Sequence, residues 1–221
     1  MKRNRKALAR GFLSSRDLPG LTQWSRDTYS SMGILFSLTN DPDDLIVWRA
    51  VEAVGHVAAD KWKGRPEAVR DFVRRLLWLM NDESGGLGWH APEAVAEIVY
   101  NIPELVEEFG HLLPSFLVEE PFERGAHHAL SRIGHMMPSQ LSGSVDTLAR
   151  SLDDPDAGIR FHTLEALEHL GDDVLTDART RLADDRSAVQ VYNFDTGQLN
   201  EREAGEPARR LAGRMGIGIS G

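Results

Sequence analysis

The 221-residue sequence contains no cysteine. A chain without cysteine forms no disulfide and has no thiolate to act as a nucleophile or a metal ligand. No apolar run approaches the roughly 18 residues of a membrane-spanning helix. The basic first residues are followed by an apolar stretch too short and interrupted for a secretory signal peptide. These absences predict a cytoplasmic protein with no integral membrane association.

Basic residues are scarce outside the N-terminal segment. Six of the 25 lysines and arginines precede the first acidic residue, Asp17, so the rest of the chain combines 19 basic with 34 acidic side chains. A body this acidic repels phosphate backbones, which argues against nucleic acid as the main partner. It favours a protein partner with basic patches. The basic leader itself is typical of a solubilising or frayed terminus.

Four stretches of the chain are similar to one another, and each combines an apolar helical segment, an acidic turn and a second helical segment. They are Ser37–Ala58, Trp78–Val99, Phe116–Met137 and Arg150–Gly171. The aligned acidic residues are 41, 38 and 34 residues apart; they are Asp41, Asp82, Glu120 and Asp154. A period in this range, with two helices per unit, is typical of a helical-pair solenoid.

The helix signals are clearest around the acidic turns. Asp41-Pro42-Asp43 and Asp154-Pro155-Asp156 place a proline where a helix begins. After the first of these turns, a helix over 45–59 has one apolar face, formed by Ile46, Ala50, Val54 and Val57. Further helices are predicted over 66–80, 103–118, 139–152, 157–170 and 172–183. Trp78 lies in an apolar helix, and we expect it in the core.

Two segments depart from the helical pattern. Residues 81–88 form a glycine-rich turn before Trp89, typical either of a wide turn between helices or of a partner-recognition loop. Val189–Asn193 alternates in polarity and is followed by a turn at Asp195–Gly197, so a β-hairpin is predicted with a second strand at Gln198–Glu203.

The turn and helix of Asp154–Leu167 resemble HEAT repeats of the phycobilisome-lyase-like type. The string Arg74–Trp89 resembles an uncharacterised bacterial HEAT-repeat family. This resemblance implies an all-α, right-handed α-solenoid of about five HEAT-like helical pairs, with the β-hairpin inserted in the last repeat. We expect a basic leader and short helix over 1–31, one solenoid over 32–215 and a disordered tail over 216–221. HEAT scaffolds mostly bind other macromolecules, so the resemblance implies no reaction.

The second helices of the repeats align aromatic, basic or imidazole, and acidic residues along one face. We predict that this face, the concave side of the solenoid, binds a protein partner without catalysis and without a cofactor. The predicted binding residues are Trp48, Arg49, Glu52, Trp89, His90, Glu93, His128, His162 and Glu165. No Ser-His-Asp order and no paired-carboxylate motif indicates nucleophilic or acid–base catalysis.

Two alternatives remain for the histidines and glutamates of this face. His90 with Glu93 and His162 with Glu165 have i, i+3 spacing, so each pair projects from one helix face. With His128 between them in repeat order, they could form a metal site of a metal-dependent enzyme. They could equally form a structural ladder of hydrogen bonds between neighbouring helices.

Overall fold

A computed structural model describes residues 2–81 and 88–216 of the chain. Over these residues the protein is predominantly helical and contains one two-stranded antiparallel sheet. The central residues of the predicted glycine-rich turn, 82–87, lie outside the described residues, as does the predicted tail beyond Gly216. The chain divides into two compact units. The first comprises Met1–Gly110 and Asn193–Gln198, and the second His111–Tyr192 and Leu199–Gly221.

The first unit contains seven of the α-helices in the described part of the chain. They are α1 (Lys2–Ser15), α2 (Leu18–Arg26), α3 (Ser31–Phe36), α4 (Asp44–Trp62), α5 (Pro66–Asn81), α6 (Ala91–Asn101) and α7 (Val106–Phe109). Short 3₁₀ helices occupy Ser37–Asn40 and Pro103–Leu105.

Helix α4 forms the centre of the first unit. The Asp43 carboxylate accepts a hydrogen bond from the Leu45 amide at 3.0 Å and caps the helix N-terminus, directly after Pro42. The predicted apolar face of this helix, from Ile46 to Val57, is buried. The most extensive helix–helix contacts in the unit join α4 to α6. The sequence prediction for α4 is thus confirmed in both position and buried face.

The basic leader belongs to this unit as α1. Its Ala9 and Leu13 are buried. Arg10 Nε lies 2.9 Å from the Asp41 carboxylate. The N-terminal helix therefore packs against the core of the first unit through an apolar face and the ion pair of Arg10 with Asp41.

The second unit begins in a 3₁₀ segment (Gly110–Val118) and contains the remaining helices of the described residues and most of the sheet. The helices are α8 (Glu123–Ile133), α9 (Pro138–Ser142), α10 (Val145–Ser151), α11 (Ala157–Glu168), α12 (Thr176–Arg181) and α13 (Glu206–Met215), with 3₁₀ helices at Gly134–Met136 and Leu182–Asp184. The strands are β1 (Ala188–Asn193) and β2 (Gln198–Glu203), which confirms the predicted hairpin. The most extensive helix–helix contacts in this unit join α8 to α11.

Three predicted helices are shorter than expected. The segment 103–118 is mostly 3₁₀, and Pro114 within it cannot donate the α-helical hydrogen bond. The segment 139–152 is divided into α9 and α10 at Gly143 and Ser144, where the Ser144 amide donates to the Leu141 carbonyl, three residues back, in place of an α-helical bond. The segment 172–183 contains a regular α-helix only over Thr176–Arg181.

Candidate partner-binding surface

Within each unit, two of the helices that follow the aligned acidic turns lie side by side. Because α4 packs on α6, the rings of Trp48 and His90 meet edge to face with centroids 6.1 Å apart. Because α8 packs on α11, the rings of His128 and His162 meet in the same way at 4.9 Å. The sequence alignment gives His128 and His162 one equivalent position, whereas it gives Trp48 the position of Trp89 and not that of His90.

In the first unit, a buried carboxylate holds the imidazole that contacts Trp48. His90 Nδ1 lies 3.1 Å from Glu93 Oε1, and with Glu93 ionised the ring nitrogen donates this hydrogen bond. Glu93 is buried, whereas His90 is partly exposed. Trp89, directly before His90, is 64% exposed. The rings of Trp48 and His90 are thus held in place, and Trp89, the residue before His90, faces solvent.

Trp78 on α5 is a second exposed tryptophan of the first unit. Its exposure is 63%, so the expectation of a core position was wrong. The buried stripe of α5 runs through Val69, Val73, Leu76 and Met80, and Trp78 lies off that stripe. Sequence reasoning missed Trp78 as a surface residue because its helix is apolar on more than one side.

The two exposed tryptophans are placed by a close contact between α5 and the start of α6. The backbone of Gly88 packs so tightly on Leu79 that a β-carbon there would lie 3.2 Å from Leu79 Cβ. Trp78 precedes Leu79 and Trp89 follows Gly88, so both aromatic side chains belong to the same end of this helical pair.

Arg49 has a structural role. It is only 7% exposed. Its Nη1 donates to the carbonyls of Leu13 at 3.0 Å and Ser14 at 2.7 Å, at the end of α1. Its Nε donates to the Gly197 carbonyl at 3.1 Å, in the turn between β1 and β2. One guanidinium thus satisfies three backbone carbonyls from two distant chain segments.

Glu52, one turn further along α4, completes this arrangement. It is 2% exposed and accepts two hydrogen bonds from Arg16, at 2.6 and 3.1 Å. Arg16 also donates to the carbonyls of Phe194 and Asp195. Gly197 has a positive φ of 66°, and a β-carbon at this position would overlap the Arg16 side chain. Sequence reasoning missed Arg16 because nothing in its local pattern distinguishes it from the other leader residues.

In the second unit, His128 and His162 are both buried. His162 Nδ1 lies 3.3 Å from Glu165 Oε2 and 3.3 Å from Ser131 Oγ. The adjacent His127 is 1% exposed and donates from Nδ1 to the Glu123 carbonyl at 2.7 Å. Burial lowers the pKa of His127 to about 4, since the charged ring would lose its hydration, so this imidazole is neutral at pH 7.

The predicted binding residues therefore fall into two groups. Arg49, Glu52, Glu93, His128 and His162 are buried and have partners inside their own units. The remaining members have surface open to solvent: Trp48, Trp89, His90 and Glu165. His162 reaches the neighbouring helix α8 through Ser131, whereas the hydrogen bond of Glu93 stays at the start of its own helix, with His90.

The metal-site alternative needs about three or four protein donors around one ion. Within residues 2–81 and 88–216, no three side chains of the metal-ligating types converge on one position. His90 and Glu93 belong to the first unit, and His128, His162 and Glu165 to the second.

Protein purified without chelators is therefore expected to contain far less than one equivalent of iron, manganese or zinc by elemental analysis. A matched preparation of His90→Ala provides the control and should give the same low content. A stoichiometric transition metal in the wild-type protein that is lost in His90→Ala would contradict this expectation and favour the metal-dependent function.

A search of the described helices for membrane-spanning candidates found none with both the length and the apolar character required.

Comparison with known proteins places the chain in a family. No protein-family profile matches it. A protein of Archaeoglobus fulgidus, named only as an uncharacterized protein, is 31% identical over 161 residues, which are 72% of this chain and 84% of that protein. Identity at this level over most of both chains indicates common descent. The chain belongs to the same family as this archaeal protein.

Proposed function

We propose that this protein is a non-catalytic interaction module that binds a protein partner through the aromatic surface of its first unit. The exposure of Trp78 and Trp89 carries this proposal. Tryptophan is highly buried on average, so two side chains more than half exposed at one end of a helical pair leave a large apolar area in water. Tryptophan is also among the residues that contribute most to protein–protein binding energy.

The neighbouring residues support binding by a preformed surface. Glu93 holds His90, and His90 contacts Trp48, so the rings beside Trp89 are fixed before a partner arrives. Fixed side chains lose little conformational entropy on binding. The chain has a net charge of −9, which attracts a partner with basic patches and increases its association rate at low salt.

For the architecture, we propose a right-handed HEAT-type solenoid of about five helical pairs whose second helices line the concave side. Two observations support it. The four recurrent sequence stretches have the length of helical-pair repeats. Equivalent second helices also pack on each other within each unit, as α4 does on α6 and α8 on α11. Stacking of this kind is how a solenoid buries the apolar faces of its repeats.

Replacing both Trp78 and Trp89 by alanine is expected to weaken partner binding at least about tenfold, a loss of about 1.4 kcal/mol or more. The partner is first isolated on the immobilised wild-type protein from native lysate, and its Kd is then measured with purified components. The double variant is expected to remain folded, because both tryptophans are largely exposed.

Tyr29→Ala is the matched control for this experiment, since Tyr29 is an aromatic residue of the same unit with 92% exposure outside the proposed surface. Its Kd should equal that of the wild type. Full binding by the double variant, or an equal loss in Tyr29→Ala, would show that the proposed surface is not the binding site.

A further inference from the structure

The small sheet has only the strands β1 and β2, so among the described residues no further strand lies beside β1 on its outer side. The Ala204 amide donates to the Ser187 carbonyl at 2.9 Å, which sets the register of the hairpin. Hydrogen-bonded pairs alternate along an antiparallel ladder, so the backbone groups of Val189 and Val191 point toward β2. Those of Ala188 and Gln190 point away from it, and both residues are exposed.

The two strands differ in how their outer edges are protected. Proteins commonly place charged residues on exposed edge strands, because charge opposes pairing with another chain. Strand β2 carries Glu201, Arg202 and Glu203. Strand β1, Ala188–Asn193, has no charged residue and contains two valines and a tyrosine. The edge of β1 therefore lacks the protection that the edge of β2 has.

Strand β1 is also held firmly on one face. Val189 packs in a cluster with Phe161 and Ala204, and Val191 and Ala157 pack against it. The strand is thus anchored on α11 before any partner binds. Because the β1 backbone is already ordered, adding a further strand to this edge costs less conformational entropy than ordering both strands together.

We propose that the free edge of β1 binds an extended segment of a partner protein as a third strand of the sheet. Main-chain hydrogen bonds to Ala188 and Gln190 would supply the affinity, as in other cases of strand addition. The net charge of −9 disfavours a second copy of this chain and favours a neutral or basic segment. This site is separate from the tryptophan surface of the first unit and does not depend on it.

The test uses the full chain and a lysine-flanked peptide of alternating valine and threonine, followed by NMR. We expect saturable shifts and slowed exchange at the Ala188 and Gln190 amides. Gln190→Pro removes the outward N–H without removing a hydrogen bond to β2, and is expected to raise the peptide Kd at least about tenfold. Glu201→Pro is the matched control, because its N–H points outward on the other edge, and its Kd should be unchanged.

A second variant covers the case in which proline disturbs the hairpin. Gln190→Lys keeps the backbone intact, repels the basic peptide and should weaken binding, whereas Gln190→Thr should retain it. The proposal is overturned by the absence of saturable binding up to about 1 mM peptide, or by equal losses in Gln190→Pro and Glu201→Pro. It is also overturned if sedimentation shows a dimer that Gln190→Lys dissociates, since that result would assign the edge to a second copy.

Discussion

Replacing Arg49 by methionine is expected to lower the free energy of unfolding by about 3 kcal/mol. The guanidinium donates to the carbonyls of Leu13, Ser14 and Gly197, and hydrogen bonds to a charged donor are stronger than neutral ones. Methionine fills a similar volume but leaves all three carbonyls without this donor. The end of α1 and the turn between β1 and β2 would both lose their attachment to α4.

Urea unfolding followed by circular dichroism measures this effect. Arg181→Met is the matched control, because Arg181 and its partner Asp153 both have largely exposed side chains. Exposed pairs of this kind contribute less than about 1 kcal/mol. If Arg49→Met cost no more than Arg181→Met, the interpretation of Arg49 as a buried structural cation would be wrong, and a role on a partner-binding face would regain support.

Acidification is expected to destabilise the protein through His127. Burial lowers the pKa of this imidazole to about 4, below the ordinary value of 6.5. The unfolded chain therefore binds this proton more tightly than the folded protein does. The contribution of neutral His127 to the free energy of unfolding is complete above about pH 6.5 and is lost as the pH falls toward 4. For a pKa shift of this size the loss is about 3 kcal/mol.

His127→Gln isolates this contribution from the titration of other groups. Glutamine has no proton to gain over this range and offers an amide donor in place of Nδ1–H. The free energy of unfolding of both proteins is measured by urea unfolding at intervals from pH 8 to pH 4. Plotted against pH, the two free energies should run parallel above pH 7 and converge below pH 6. Curves that stay parallel to pH 4 would show that His127 is not the titrating group.

Local signals in the sequence predicted much of the secondary structure. The apolar spacing of Ile46, Ala50, Val54 and Val57 identified the buried face of α4, because a helix presents every third or fourth residue to the same neighbour. The alternation at Val189–Asn193 and the turn after it located the hairpin. These features depend on residues within a few positions of one another, and local sequence therefore suffices to predict them.

The extent of several helices was not predictable in the same way. The segment around Pro114 has a helical pattern of apolar residues, yet proline withholds a donor and the backbone becomes 3₁₀. Trp78 was assigned to the core from its apolar helix, although the packing of α5 uses a stripe that excludes it. Which apolar residues are buried depends on the neighbouring helix as well as on periodicity.

The repeat pattern by itself indicated which helices correspond, α4 with α6 and α8 with α11, and it gave His128 and His162 one equivalent position. The contact of Trp48 with His90 is seen only in the structure, because the pattern aligned Trp48 with Trp89. Only the tertiary structure decided which of these residues face solvent. Arg49 and Glu52 are buried because Arg16, 36 residues before Glu52, and the turn at Gly197, 148 residues after Arg49, fold onto them. No local pattern encodes such distant hydrogen bonds, since they arise only when the chain brings backbone carbonyls and buried charges together.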